Sequence, residues 1–426
     1  MKAIVEKSLF EIPKQIRMLL WALIGLGVLM FVVGLAIGDH EGVKRTWQTF
    51  LINVVFWGGL SQAGVIMAVI WQLTDSKWGR PFKRLAEAFG AFLPISFLMF
   101  IILFFGGHIL YEWVEKPFLH HGVAVKAGWL NYHFFITRNI FWLLLMYGVS
   151  FAFIRLSLKP DFGFARTLIP GWGGTLADKL LKGYNNHKDE VVRMELLSRK
   201  VAPVLMIIYA IAGSFISWDF VMTLDQEWFS TLFAAFFMMG NLHAALGLLL
   251  IVAVTVRSKL GSDGEAYITI NRIHDLAKLT FACAMAWTYL GFSQYIVIWY
   301  GDLSEETPFL IIRSMIQPWS TVFVIVILWL FVSVFLGLMP RTLCRTPNFV
   351  RAMGGYIALG QWFAVYLIVV PSLQEPGHYH VPFGFHEILI TAGFGGAFAL
   401  AYLTFLSKVP LLPVSDKHLC HSWHGR

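Results

Sequence analysis

The chain has 426 residues, 58% of them hydrophobic and only 14% charged, with a mean hydropathy of +0.67; this excludes a water-soluble globular domain and makes lipid its main solvent. The 33 Lys and Arg against 25 Asp and Glu give a net charge of +8, and the placement of the basic residues accounts for that excess without a nucleic-acid partner. Cys283, Cys344 and Cys420 stand far apart with no CxxC or CxxCH, so neither a disulfide, nor a zinc or iron–sulfur site, nor covalently attached haem is expected.

A hydrocarbon core about 30 Å thick takes about 20 apolar residues of helix. Ten such runs follow one another, near 18–37, 50–73, 85–110, 134–156, 201–221, 229–256, 276–299, 321–339, 350–370 and 388–406. Unbroken apolar runs predict helices rather than a barrel, because each segment must satisfy its own backbone in lipid. The first run is too long for the apolar part of a cleaved signal peptide and no small-x-small site follows, so it reads as a retained anchor. The segment 159–200 is rich in Lys and Arg and reads as a loop. Its Gly171, Gly173 and Gly174 follow no strand and predict a turn, not a phosphate-binding loop. All but six of the 33 Lys and Arg fall in the termini and the loops after even-numbered runs; the exceptions are Lys44, Arg45, Lys116, Lys126, Arg138 and Arg313. That asymmetry predicts cytoplasmic termini.

The chain also resembles itself at a shift of four helices. Trp47, Phe56, Gly59 and Ala63 fall opposite Trp228, Phe237, Gly240 and Ala244 at one constant offset, which sets Gln62 opposite His243. Arg84 and Glu87 fall opposite Arg272 and Asp275, and Phe134, Ile136 and Arg138 opposite Phe309, Ile311 and Arg313. An even shift keeps orientation, so the expected fold is an all-α integral membrane protein with two parallel-repeat four-helix bundles, helices 2–5 and 6–9. Helices 1 and 10 flank them. The expected divisions are 1–45, 46–225, 226–372 and 373–426, the last including a cytoplasmic tail.

Ionisable groups in or beside hydrocarbon cost about 2 to 4 kcal/mol each on insertion scales, so each is a functional candidate. On the outer half these are His108, Glu112, Arg138, Asp219, Asp225, Asp302 and Arg313; on the inner half Glu87, Asp275 and Lys278; His243 lies deep. Each has a plain alternative: charges at helix ends meet headgroups, Asp275 and Lys278 suit a simple i, i+3 pair, and His243 suits a bond across the bundle. The apolar runs contain only His108 and His243, at different depths, so paired-His haem is not expected. His418, Cys420, His421 and His424 cluster in the tail and are set aside as a metal site, leaving no redox cofactor or metal expected on this chain.

Two stretches carry a resemblance. Residues 287–313, WTYLGFSQYIVIWYGDLSEETPFLIIR, and 217–232, SWDFVMTLDQEWFSTL, resemble patterns of the integral-membrane subunits of the polysulfide reductase and formate-dependent nitrite reductase family. The likeness is closest to the smaller such subunits of bacterial alternative complex III. Two positions depart from the pattern: Gln226 and Glu227 replace Pro-His, and Asp302-Leu303-Ser304 replaces the Asn-x-Pro form. The missing His weighs against quinol binding at the outer site.

The resemblance implies a subunit of a quinol oxidoreductase in the bacterial cytoplasmic membrane, oxidising menaquinol or ubiquinol. Its partners would be a larger quinol-binding membrane relative, an iron–sulfur subunit and haem c subunits, with lipids around it. This chain would carry no redox centre; it would anchor the complex and offer a proton path through Asp219, Asp225, Glu227, His243, Lys278, Asp275 and Glu87. Two alternatives remain: a quinone pocket of its own lined by Asp219, His243, Arg313, Arg138, Glu112 and His108, and a secondary transporter. A transporter predicts matching helix breaks in both repeats, whereas Pro94 in helix 3 faces Ala282 in helix 7.

Overall fold

A computed structural model describes residues 2–116, 119–120, 123–124, 126, 128–184 and 187–416. Ten helices among them are long and apolar enough to cross a membrane: α1 Lys14–Ile37, α2 His40–Leu73, α3 Arg80–Phe105, α4 Tyr132–Leu168, α5 His187–Leu224, α6 Phe233–Leu260, α7 Ile270–Gly301, α8 Trp319–Leu338, α9 Pro347–Ser372 and α10 Phe385–Leu406. The described strand content is one antiparallel ladder of two residues a side, Leu119–His120 with Val123–Ala124. The tail cluster His418, Cys420, His421 and His424 lies outside the described residues.

Several helices outrun their apolar stretches. The segment 159–200, expected as a loop, is mostly helix: α4 runs on through Pro160 to Leu168, Gly174–Leu180 forms a short helix, and α5 begins at His187. The hydropathy of a span reports only the part that meets lipid. The glycines of this segment do form the turn, Gly171, Gly173 and Gly174 all having positive φ, a region that costs other residues strain.

The most buried spans are α2 and α6, which pack against each other at the centre. Around them α2 contacts α3 and α5, α4 contacts α5, and α6 contacts α7 and α9. Small residues permit the closest approaches. A Cβ on Gly247 of α6 would lie 2.8 Å from the Gly354 carbonyl oxygen of α9, and one on Gly27 of α1 would lie 2.7 Å from the Gly393 Cα of α10. α1 pairs mainly with α10 and leaves Trp21, Leu26, Val28, Leu29 and Val32 exposed, as a lipid-facing helix should.

An even number of spans returns the chain to its starting end, where the termini interlock. Residues 409–414 form a buried strap below the bundle, joined to the first helical turns by the Leu411 N–H, which donates to Ser8 Oγ at 3.1 Å. Ser415 donates to Asp161 through both its N–H (2.9 Å) and its hydroxyl (2.5 Å), and Arg80 reaches Asp416 at 3.1 Å. This is called the terminal end below, and the opposite one the far end.

Candidate functional site

The ionisable candidates are distributed over four places. At the far end α4 and α5 are joined by a saturated ion pair. Arg138 donates to Asp219 through Nε and Nη2, both at 2.8 Å, and Asn139 (2.8 Å) and Trp129 (3.2 Å) donate to the same carboxylate. Four donors occupy the roughly four lone-pair positions of the carboxylate, leaving little capacity for a further donor. The guanidinium also lies over the rings of Trp129 and Phe134, at 4.0 and 4.6 Å.

Arg313, set opposite Arg138 by the sequence but carried on the short helix Thr307–Ser314 ahead of α8, repeats the stacking without a bonded acid. Its guanidinium lies 3.5 Å from the Phe309 ring centre, four residues back as Phe134 is from Arg138. Its donors go to the carbonyls of Leu367 (Nε, 3.1 Å), Phe309 (Nη1, 2.9 Å) and Ile368 (Nη2, 2.5 Å) and to the Ser372 hydroxyl (Nη2, 2.6 Å). Pro371 explains the first of these: it has no N–H to give the carbonyl four residues earlier, and that carbonyl is Leu367. Arg313 is 4% exposed, and no carboxylate among the described residues is within ion-pair distance of it.

Beside Arg313 opens a cavity of about 680 Å³ between α6, α7, α8 and α9, with walls such as Phe236, Met285, Phe292, Phe323 and Leu367. Trp228 stacks on Phe309 with centroids 3.7 Å apart and planes 7° from parallel, and Ser230 donates to Gln294 at 3.0 Å. Neither Asp219 nor His243 lines this cavity. His108 and Glu112 are exposed at the far end, where His108 meets the Tyr132 ring edge-on at 5.1 Å. Arg138 with Asp219, His243, and Arg313 thus occupy separate places.

His243 sits at the centre, fully buried on α6. The Gln361 side-chain amide of α9 donates to its Nδ1 at 2.9 Å, an arrangement that leaves the ring proton on Nε2; that nitrogen has no partner among the described residues. Gln62, its counterpart in the sequence, donates to Ser150 Oγ of α4 at 2.9 Å. Towards the far end the polar groups continue along α2: Asn53 receives the Trp362 indole (3.2 Å) and donates to Thr391 (3.0 Å), and Arg45 grips Glu387 through two bonds of 2.6 and 2.7 Å.

At the terminal end the inner candidates part. Glu87 is wholly buried, bonded to Arg84, which also reaches Asp161 at 2.5 Å, and one Glu87 carboxylate oxygen has no partner among the described residues. A cavity of about 270 Å³ adjoins this cluster, lined by Lys83, Asp161, Ser198 and Asp416 among others. Asp275 and Lys278 instead pair at 2.7 Å on the surface of α7, over a third exposed each. Asp225 and Glu227 lie in the far-end connection, where Asp225 Oδ1 accepts the Glu227 and Trp228 N–H groups, both at 3.3 Å.

Sequence reasoning missed Gln361, Asn53, Asn139, Lys83 and Asp161. Gln361 and Asn53 carry a usable signal, a lone amide in an apolar run, which a search led by ionisable residues passes over. Among the described residues no group of three His, Cys, Asp or Glu side chains is placed to hold a metal ion, and Cys283 and Cys344 are buried and unpaired. No family model and no curated protein matches the chain.

Proposed function

We propose that the chain is a membrane subunit of a quinol-oxidising respiratory complex of the alternative complex III kind, built as two parallel four-helix repeats, α2–α5 and α6–α9. The supporting observation is that the two stretches carrying the family resemblance, separated by more than a helix in sequence, fold against each other. Trp228 of the first lies on Phe309 of the second, and Ser230 bonds Gln294. The repeat is supported by matching helix contacts and by the stacking of Arg138 on Phe134 and of Arg313 on Phe309. On this reading the termini face the cytoplasm of a bacterium. Electrons pass through iron–sulfur and haem c partners, and a larger membrane relative receives the quinol.

Within such a complex this chain anchors the assembly and provides a proton route. A relay needs groups that exchange protons near neutral pH, of which imidazole is the natural one. His243 offers an unpaired Nε2 at mid-depth; Asp225 and Glu227 stand at one mouth and the Glu87 cluster, with its polar cavity, at the other. A cavity of 270 Å³ has room for several waters at about 30 Å³ each. Asp219 is engaged fourfold and falls outside the route, and the surface pair Asp275–Lys278 is peripheral to it. A transporter reading finds less support, because the 3₁₀ segment Ala88–Phe92 breaks α3 while α7 runs unbroken from Ile270 to Gly301.

Deletion and complementation test both parts. Membranes lacking the chain should lose quinol-dependent reduction of a c-type cytochrome, and the wild-type chain should restore it. A His243→Leu chain should restore assembly and quinol oxidation but release fewer protons per electron. Unchanged quinol oxidation on deletion would refute the assignment, and an unchanged proton yield in His243→Leu would refute the route.

A further inference from the structure

We infer that the cavity beside Arg313 is a binding site for a phospholipid, held by its phosphate at the Trp228–Phe309–Arg313 stack with an acyl chain along the apolar walls. The inference is independent of the complex proposed above. It begins from the difference between two arginines that each stack on a phenylalanine four residues back: Arg138 bonds the Asp219 carboxylate, whereas Arg313 bonds three carbonyls and one hydroxyl and meets the Asp225 charge only across space. Carbonyl dipoles at the end of α9 and the charge of Asp225 soften this positive charge, but no carboxylate among the described residues pairs with it. A buried cation without a bonded counter-ion is costly, and an anion supplied from outside would reduce that cost.

The donor count points the same way. A guanidinium has five N–H groups, and the bonds above use four, leaving one on Nη1. Trp228 is buried, and its indole N–H has no partner among the described residues although the side chain lines the cavity. Trp228 at 3.7 Å and Arg313 at 3.5 Å from the same ring centre must take opposite faces of Phe309, which joins the two donors into one pole. No Asp, Glu or His is among the residues lining the cavity. Asp225, which accepts the Trp228 backbone N–H, lies outside that lining, so the cavity wall at this pole offers donors and positive charge but no base to accept the protons of a quinol, which suits a phosphate better than a quinol head. The rest of the cavity, about 680 Å³ with almost wholly apolar walls, suits an acyl chain.

The test uses the full chain purified in mild detergent, stripped of loosely held lipid, with bound lipid read by native mass spectrometry. Phosphatidylglycerol, the diacylglycerol with the same acyl chains and a short-chain ubiquinone are then added in separate arms. Wild type should retain phospholipid and be stabilised against heat by phosphatidylglycerol, with diacylglycerol at least tenfold less effective. Arg313→Gln should lose most of the retained phospholipid, and Arg313→Lys should recover part of it. Trp228→Phe keeps an aromatic ring against Phe309 while removing the indole N–H and part of the ring area, so it should weaken retention several-fold in a folded chain even if Arg313→Gln fails to fold. Equal binding of diacylglycerol, unchanged retention in Trp228→Phe, or displacement of the phospholipid by the ubiquinone would overturn the inference.

Discussion

Replacing Arg138 with Leu is expected to destabilise the protein more than any other single change at the far end. The substitution strands the Asp219 carboxylate, which is fully buried and takes its two bonds from a cationic donor, both 2.8 Å, from that guanidinium. Removing one partner of a buried ion pair costs about 3–5 kcal/mol, because the remaining charge is left without compensation. The loss should appear as a lower midpoint in thermal unfolding followed by size-exclusion chromatography in detergent. The double variant Arg138→Leu with Asp219→Leu should regain most of it, since apolar replacements of similar size are often neutral once both charges are gone. If the single variant melts with the wild type, Arg138 and Asp219 do not form the pair described.

The second large effect is expected at the terminal end. Arg84→Leu removes the only cation bonded to both Glu87 and Asp161 among the described residues, and Asp161 in turn holds the strap through Ser415. Two buried carboxylates are left unpaired, so the cost should reach or exceed about 3–5 kcal/mol. The strap should also loosen, which limited trypsin digestion at Lys408 will report: cleavage several-fold faster than wild type is expected. Replacing Arg84, Glu87 and Asp161 together with apolar residues should restore much of the melting temperature but not the protection of Lys408, because the Ser415 anchor is gone. Equal protection of Lys408 in wild type and Arg84→Leu would contradict this linkage.

These two clusters mark how far the sequence could be read. The ten spans were legible because a run of apolar residues long enough to cross hydrocarbon has few other uses. The extensions of α4 and α5 at the terminal end were not, since 159–168 and 187–200 are rich in charged residues, which mask the helix from hydropathy; there Asp161 meets the strap through Ser415. Among site residues, the sequence named Arg138 and Asp219 as costly charges but could not pair them, because their partnership joins residues 81 positions apart. Arg84 and Glu87 form a local i, i+3 pair that helical spacing allows; their third member, Asp161, lay in the segment read as loop. Gln361 is the instructive miss. It bonds the one deep histidine, yet its amide gives no signal when only charge is counted. The structure also sets apart in space residues that the sequence had grouped, with Asp219 saturated by Arg138 and Arg313 left without a bonded acid.

The most direct test of the central claim is purification of the tagged chain from its native membranes in mild detergent, followed by native electrophoresis, haem staining and identification of co-purifying chains. The account predicts a single large species containing c-type haem, an iron–sulfur subunit and a larger membrane relative, with quinol-oxidising activity in the same band. A chain that migrates alone, free of haem and inactive towards quinol under conditions that keep other respiratory complexes intact, would contradict it.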